Sequence, residues 1–330
     1  MIANASLLGF GLAFVVMSIG LSLFAGVIMR LLGVRLRLMG CAVERCAASL
    51  SLLIPPLLAL LMVSILAARS WQEGWSTPGD HCLHHPHHAH LCLLHGDAWG
   101  QHAWTWAVAA GGALLVLRQC LAWLHAAVRV AALLRHLEPS AQTEFIGKFR
   151  VWQVPTQRPF CFVTGLWRPR IVWSISAREL LTQSERHAVL SHETAHVANG
   201  DLWRRALLGL AVTLGAPLIS RQIFGVWERA TERLCDRLAA DSVGDAAVVA
   251  SALVKLARGG AVPVAGAASF LSTCSITERV QALLDRSGSG EQSARRLLLV
   301  ALTVFVLVLP LLAALSDPLH HALETLLGTV

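Results

Sequence analysis

The sequence predicts an α-helical membrane protein with four transmembrane helices and one cytoplasmic α+β domain. Three observations lead there: long runs without charge, a lopsided distribution of arginine between the runs, and a late segment in which helical and strand periodicities mix. Of the 330 residues, 55% are hydrophobic and only 14% charged, and the mean hydropathy is +0.59. Soluble domains carry about 25% charged residues, so the deficit points to a bilayer. The formal net charge of +7 is what a membrane protein acquires by loading its cytoplasmic loops with Arg and Lys. No basic helix or aromatic-basic motif accompanies it, so direct nucleic-acid binding is not expected. Eight cysteines without a Cys-x-x-Cys pair do not make a disulfide framework.

A hydrocarbon core about 30 Å thick takes roughly 20 apolar residues of helix. Residues 7–29 and 46–68 qualify without a charge, 103–124 with Arg118 near its far end, and 297–316 with Pro310 as a kink. Nothing basic precedes the first run, which reads as an uncleaved span rather than a signal peptide. Arg30, Arg35, Arg37 and Arg45 separate the first two runs, and only Arg69 follows the second. Arg129, Arg135, Lys148 and Arg150 follow the third, and Arg295 and Arg296 precede the fourth. The positive-inside rule then puts the N-terminus and the 69–102 loop outside and the segment before the fourth span in the cytoplasm, in a cell inner (plasma) membrane crossed several times. The expected organisation is a membrane domain over 1–136 with the outer loop 69–102, a cytoplasmic domain over 137–296, and a fourth span with a short outer tail over 297–330.

Within 137–296, residues 149–154 alternate like a half-buried strand, and Ile171 to Ser174 follows a Gly/Pro/Arg turn. Thr182-Gln-Ser-Glu185 is a capping box opening a helix that runs to about Asn199, with Gly200 at the stop position. The run 207–219 is apolar but short for a span, and its periodicity fits an interfacial or a buried helix equally. Residues 285–293 are Gly/Ser-rich and read as a linker into the fourth span.

The chemistry sits in His192-Glu193-Thr194-Ala195-His196. Residues i and i+4 share one helix face, so His192 and His196 can both offer imidazole nitrogens to one Zn²⁺. Glu193, rotated about 100° from His192, falls beside the metal rather than on it, where a carboxylate can take a proton from water that zinc acidifies. A catalytic zinc needs a third protein ligand. The helix Trp227 to Asp236 supplies Glu228 and Glu232 as candidates, and Asp236, one turn after Glu232, can receive a hydrogen bond from a ligand histidine's second nitrogen. The competing reading of that helix is a solvated face paired with Arg229, Arg233 and Arg237.

Three blocks, Pro159 to Ser174, Glu185 to Asp201 and Glu232-Arg-Leu-Cys-Asp236, resemble in order and spacing the BlaR/MecR-type membrane zinc metallopeptidases. The resemblance implies a zincin-type metallopeptidase fold for the cytoplasmic domain, Zn²⁺ as cofactor, and a gluzincin ligand set of His192, His196 and Glu232 with Glu193 as base. It further implies Asp236 and Asp201 as carboxylates supporting the site, and the 160–174 hairpin as the edge strand beside which an extended substrate lies. A cytoplasmic transcriptional repressor of the BlaI type would be the protein substrate, with self-cleavage alongside. The family's antibiotic sensors carry a large extracellular penicillin-binding domain after the fourth span. Only Asp317 to Val330 follows it here, so β-lactam sensing is not expected of these residues. With no Tyr in the chain, oxyanion stabilisation falls to zinc with a His, an Arg or a backbone N–H.

Eight of the fifteen histidines crowd into the outer loop: His81, His84, His85, His87, His88, His90, His95 and His102. Imidazole clusters suit zinc, copper or nickel, so His84, His85, His87, His88 and His90 are a candidate outer metal sensor. A polar loop closed by a Cys82–Cys92 disulfide is the plainer reading. Two other functions compete with the signalling peptidase. One is a housekeeping membrane protease of the HtpX or Ste24 kind. The other is a non-catalytic metal-binding receptor, which would have no use for a base at Glu193.

Overall fold

The computed structural model describes residues 2–76, 103–137, 142–146, 149–259, 268–269, 275–285 and 291–314. The His-rich loop, most of the 285–293 linker and the C-terminal tail lie outside the described residues.

The chain is mostly helical, with one small mixed sheet. Helices α1 (Ile2–Leu38), α2 (Cys41–Ser76) and α3 (Ala103–Leu137) come first. Two segments, Phe10–Leu38 and Cys41–Ala68, are long and apolar enough to cross a membrane. The expected loop between them is much shorter than the hydropathy suggests. Arg30, Arg35 and Arg37 extend α1, Arg45 already belongs to α2, and only Met39 and Gly40 turn between them. Gly40 takes φ +115°, open to glycine at no steric cost. Intrahelical hydrogen bonding carries on past the apolar run because nothing in Arg30 to Leu38 breaks it.

Strands β1 (Gln142–Ile146), β2 (Phe149–Val154), β3 (Cys161–Thr164), β4 (Arg170–Ser174) and the two-residue β5 (Ala268–Ser269) form one sheet in the order β1-β2-β4-β3-β5. β2 and β4 run parallel; the other pairs are antiparallel. The 160–174 hairpin is therefore not the outer edge that the resemblance implied, because Ser269 and Ala268 pair with Phe162 and Val163. A two-residue strand is too short to show alternation, which is why the sequence pattern missed it.

Helices α4 (Ile175–Leu180), α5 (Gln183–Asn199), α6 (Asp201–Leu214), α7 (Pro217–Val243), α8 (Ala246–Arg258), α9 (Ile276–Leu284) and α10 (Glu291–Ala314) complete the described chain. Two apolar cores meet along α7. One joins the sheet (Val151, Val163, Ile171, Trp173) to α5, α7 and α8 through Val189, Ala239 and Leu253. The other joins α1 and α2 to α6 and α7 through Met29, Ala48, Leu52, Leu208, Ile223 and Trp227. The ambiguous run 207–219 is split between these helices at the corner Gly215-Ala216, with Pro217 opening α7 where its missing N–H costs nothing. That corner packs on the middle of α1: the Ser18 hydroxyl donates to the Leu214 carbonyl at 2.7 Å. A Cβ on Gly215 would meet Ser22 Oγ at 2.5 Å, and one on Gly26 would meet Ile219 Cγ2 at 2.3 Å. The two glycines are small because helices approach closely there.

Candidate active site and metal centre

The site lies where α5 crosses α7. Helix α5 starts on a complete capping box, with Glu185 Oε2 accepting from the Thr182 N–H at 2.8 Å and Thr182 Oγ1 accepting from the Glu185 N–H. It stops at Gly200, whose φ of +65° favours glycine. This stop matters for the site. The turn at Gly200 makes Asp201 the first residue of α6 and aims it back, so that its Oδ2 lies 2.8 Å from His196 Nδ1.

His192 and His196 are both buried, one turn apart on α5. From α7, Glu232 faces them, and Asp236, one turn on, sets Oδ1 3.0 Å from His192 Nδ1. A carboxylate can only accept, so each Nδ1 is the donor and each Nε2 is left for something else. The two Nε2 atoms lie 3.1 Å apart, with Glu232 oxygens 3.6 Å from the first and 3.8 Å from the second. A tetrahedral ion with Zn–N and Zn–O bonds of about 2.0–2.1 Å separates its ligand atoms by roughly 3.3 Å. Glu232 is buried, and its Oε2 lies 3.3 Å from Arg279 Nη1, which holds the carboxylate charged. Two imidazole lone pairs and a buried carboxylate converging in this way fit a divalent cation of zinc's size and ligand preference.

Arg279, fully buried on α9, is the residue that sequence reasoning missed. Its Nε donates to Asp236 Oδ2 at 2.7 Å, and Nη1 lies 3.3 Å from Glu232. It stands 43 positions from Asp236, in a helix whose pattern reads as an ordinary amphipathic face, so no local signal marked it. Arg45 was visible only as a loop charge; in the fold its Nη1 lies 3.1 Å from Asp201 Oδ1. Glu228, the competing third ligand, pairs with Arg205 instead. Buried Glu44 binds Arg37 and Arg233, fastening the start of α2 to α7.

These partners set the charges. Burial works against the protonated form of His192, but its hydrogen bonds with Asp236 and Glu232 outweigh that and lift it to about 9. Burial also opposes ionised Asp236 and Glu232, yet the Arg279 guanidinium, aided by His192, holds both below the usual carboxylate range. Cys235 Sγ lies 3.4 Å from His196 Nδ1 and 3.8 Å from Asp201, completing a second group of metal-type side chains. Burial, then the nearby charges of Asp201, Glu232 and Asp236, push that thiol well up. A thiol kept neutral, beside a nitrogen already committed to Asp201, is a packing neighbour and not a ligand. Glu193 is fully buried on α5. Its charge, after burial itself, raises the Cys161 thiol on β3, so the strand backs the carboxylate.

A buried His-Glu-x-x-His helix, a glutamate from the next long helix and an aspartate on each ligand imidazole define a metallopeptidase-type centre, here attached to two apolar helices of membrane-spanning length. The chain belongs to the BlaR1 peptidase M56 family, whose family model matches residues 106–283, more than half of the chain. That is a family of zinc metallopeptidases. The chain is also similar to Protease HtpX of Pseudoalteromonas atlantica, 35% identical over 99 residues, covering 29% of this chain and 34% of that protein. Plastoglobule-localized metallopeptidase 48, chloroplastic, of Arabidopsis thaliana is 31% identical over 160 residues, 45% of this chain and 44% of that protein. A Protease HtpX homolog of Thiobacillus denitrificans is 36% identical over 80 residues, 24% of this chain and 28% of that protein. The match thus spans less than half the length of each of these relatives.

Proposed function

We propose that this chain is a membrane-anchored zinc-dependent endopeptidase in which His192, His196 and Glu232 hold the metal and Glu193 is the general base. The observation that carries this reading is the convergence of two Nε2 atoms and a buried glutamate within one ion's reach, beside a second buried glutamate. Zinc, when bound, supplies Lewis acidity that polarises the peptide carbonyl and acidifies water. Glu193 takes the proton of the attacking water and delivers it to the leaving amine, which a buried carboxylate between two ligand positions is placed to do. Asp236 and Asp201 fix the tautomer and orientation of the ligand rings, raising their basicity. Arg279 keeps Asp236 ionised for that task.

The full reading has four spans. Besides the two candidate membrane helices, Leu114, Leu117, Leu121 and Leu124 on α3 and Leu299, Val300 and Leu302 on α10 are exposed, as lipid-facing leucines are. The proposed organisation is a membrane domain over 1–136, a cytoplasmic peptidase domain over 137–296, and a last span within 297–330, in the inner membrane. The physiological substrate in this reading is a cytoplasmic BlaI-type repressor, with self-cleavage, and the His-rich outer loop is the input. Similarity to two HtpX proteases supports a second reading, in which membrane proteins are the substrates. The test uses the purified full chain in proteoliposomes, offered a BlaI-type repressor or an unfolded membrane protein, with and without a zinc chelator. Chelator-sensitive cleavage of the repressor at one site is the expected result. Cleavage of the membrane protein alone selects the second reading, and cleavage of neither overturns both.

A further inference from the structure

On the far side of Asp201 from the metal site, α2, α6 and α10 line a half-open cavity of about 440 Å³, within the size range of small-molecule sites. Its lining is ordered by chemistry. Each helix contributes an arginine and then, one or two turns on, leucines: Arg45 then Leu50 and Leu53 on α2, Arg204 then Leu207 on α6, Arg295 then Leu298 on α10. The polar ends of α2 and α6 meet at the Arg45–Asp201 pair, and Cys46 reaches the Ala294 carbonyl to join α2 to α10. The apolar continuations of α2 and α6 meet in the core that contains Leu52, Leu208 and Ala211.

Charge in this cavity is unbalanced. Three arginines line it and no carboxylate does: Arg45 is paired with Asp201, which is shared with His196, whereas Arg204 and Arg295 are exposed at its rim. Burial, then the charge of Arg45, push Arg204 below its ordinary value despite Asp201. The buried Asn199 Nδ2, also in the lining, has no acceptor. Depth fits as well. Arg45 lies one turn into a candidate membrane segment, Cys41–Ala68. Next to Arg204, Trp203 packs edge-on against the exposed Trp167 at 4.7 Å, as aromatic side chains do at the headgroup level.

We propose that this cavity binds an anionic phospholipid, with Arg45, Arg204 and Arg295 on the headgroup phosphate and Leu50, Leu53 and Leu298 along the start of an acyl chain. A phosphate satisfies the surplus guanidinium donors and the Asn199 amide, and the leucines exclude a ligand that is charged throughout. Because Arg45 also holds Asp201, a lipid bound here is one carboxylate away from the ligand ring of His196.

Native mass spectrometry of the full chain, in micelles doped with equal phosphatidylglycerol and phosphatidylcholine, tests the site without reference to peptidase activity. The wild type is expected to retain phosphatidylglycerol preferentially. Arg204→Gln with Arg295→Gln should reduce that preference about 25-fold, at roughly fivefold per cation, with the melting temperature as a check on folding. Ser49→Phe, which fills the cavity and leaves every charge in place, should lower retention as well. Equal retention of the two lipids by the wild type, or an unchanged preference in the double variant, overturns the proposal. Millimolar inorganic phosphate should leave the lipid bound; displacement by it would assign the site to a soluble phosphate and overturn the lipid assignment.

Discussion

The two histidines proposed as zinc ligands are supported by arms of the same chemistry and different origin. Both run from a ring nitrogen to an aspartate to an arginine. In the His192 arm, Asp236 and Arg279 come from α7 and α9 and are sealed inside the domain. In the His196 arm, Asp201 follows the α5 stop and Arg45 comes from the start of a candidate membrane helix, beside a cavity. The first arm can only hold the metal site together. The second also ties it to the membrane helices, because any shift of α2 moves the guanidinium on which Asp201 rests. Glu44, adjacent in sequence, grips Arg233 next to Glu232. Two successive residues of α2 therefore reach both sides of the proposed metal site.

Breaking the sealed arm should have the largest effect. Arg279→Met leaves Asp236 and Glu232 as uncompensated buried charges, a loss of about 3–5 kcal/mol. Denaturant unfolding in detergent reads it, and Arg279→Lys should restore only part, since an ammonium cannot span the Asp236 carboxylate as the fork does. Breaking the other arm is milder for the fold and acts on the metal. Asp201→Asn or Arg45→Gln should weaken zinc binding by about 10–100-fold, the usual range for groups behind a ligand histidine. Competition with a chromophoric chelator measures it. Equal unfolding losses for Arg279→Met and Arg45→Gln would erase the distinction between the arms.

Protonation gives a smaller test. The folded His192 titrates at about 9, above its ordinary 6.5, so its contribution to stability is full below 6.5 and is lost as pH rises through 9. Zinc must displace that proton. Binding at pH 7.5 should release about one proton from this ring, measured by calorimetry in buffers of different ionisation enthalpy. The smallest effect belongs to the helix start. Despite burial, Glu185 is lowered from 4.5 to about 2 by Lys255, Ser251 and Thr182. Its stabilisation is present above 4.5 and is lost as pH falls towards 2. Glu185→Gln should cost about 1 kcal/mol at pH 7, as cap losses do, and flatten the acid limb of the stability profile.

What the sequence made legible follows the range of the interactions. Helix α5, its cap, its Gly200 stop and the His192/His196 face are written in consecutive residues, and the structure has them where the spacing predicts. The pairing of Glu232 and Asp236 with those histidines was readable as an i,i+4 repeat on a later helix, although choosing Glu232 over Glu228 took the resemblance as well. Arg279 and Arg45 were not readable as site residues. Their partners are 43 and 156 positions away, and a guanidinium signals nothing about its partner in sequence. The arginines counted between the first two spans were read as topology markers. Arg30 and Arg37 are at the same time bound to Gln222 and Glu44.

The proposed division of labour gives the zinc to His192, His196 and Glu232 and the proton to Glu193. Its most direct test measures zinc content and peptide cleavage together in purified Glu193→Gln, Glu232→Ala and Glu228→Ala. Stoichiometric zinc with cleavage lowered by about 100-fold or more is expected in the first, loss of both in the second, and retention of both in the third. Zinc retained by Glu232→Ala and lost by Glu228→Ala, or wild-type turnover by Glu193→Gln, would contradict it.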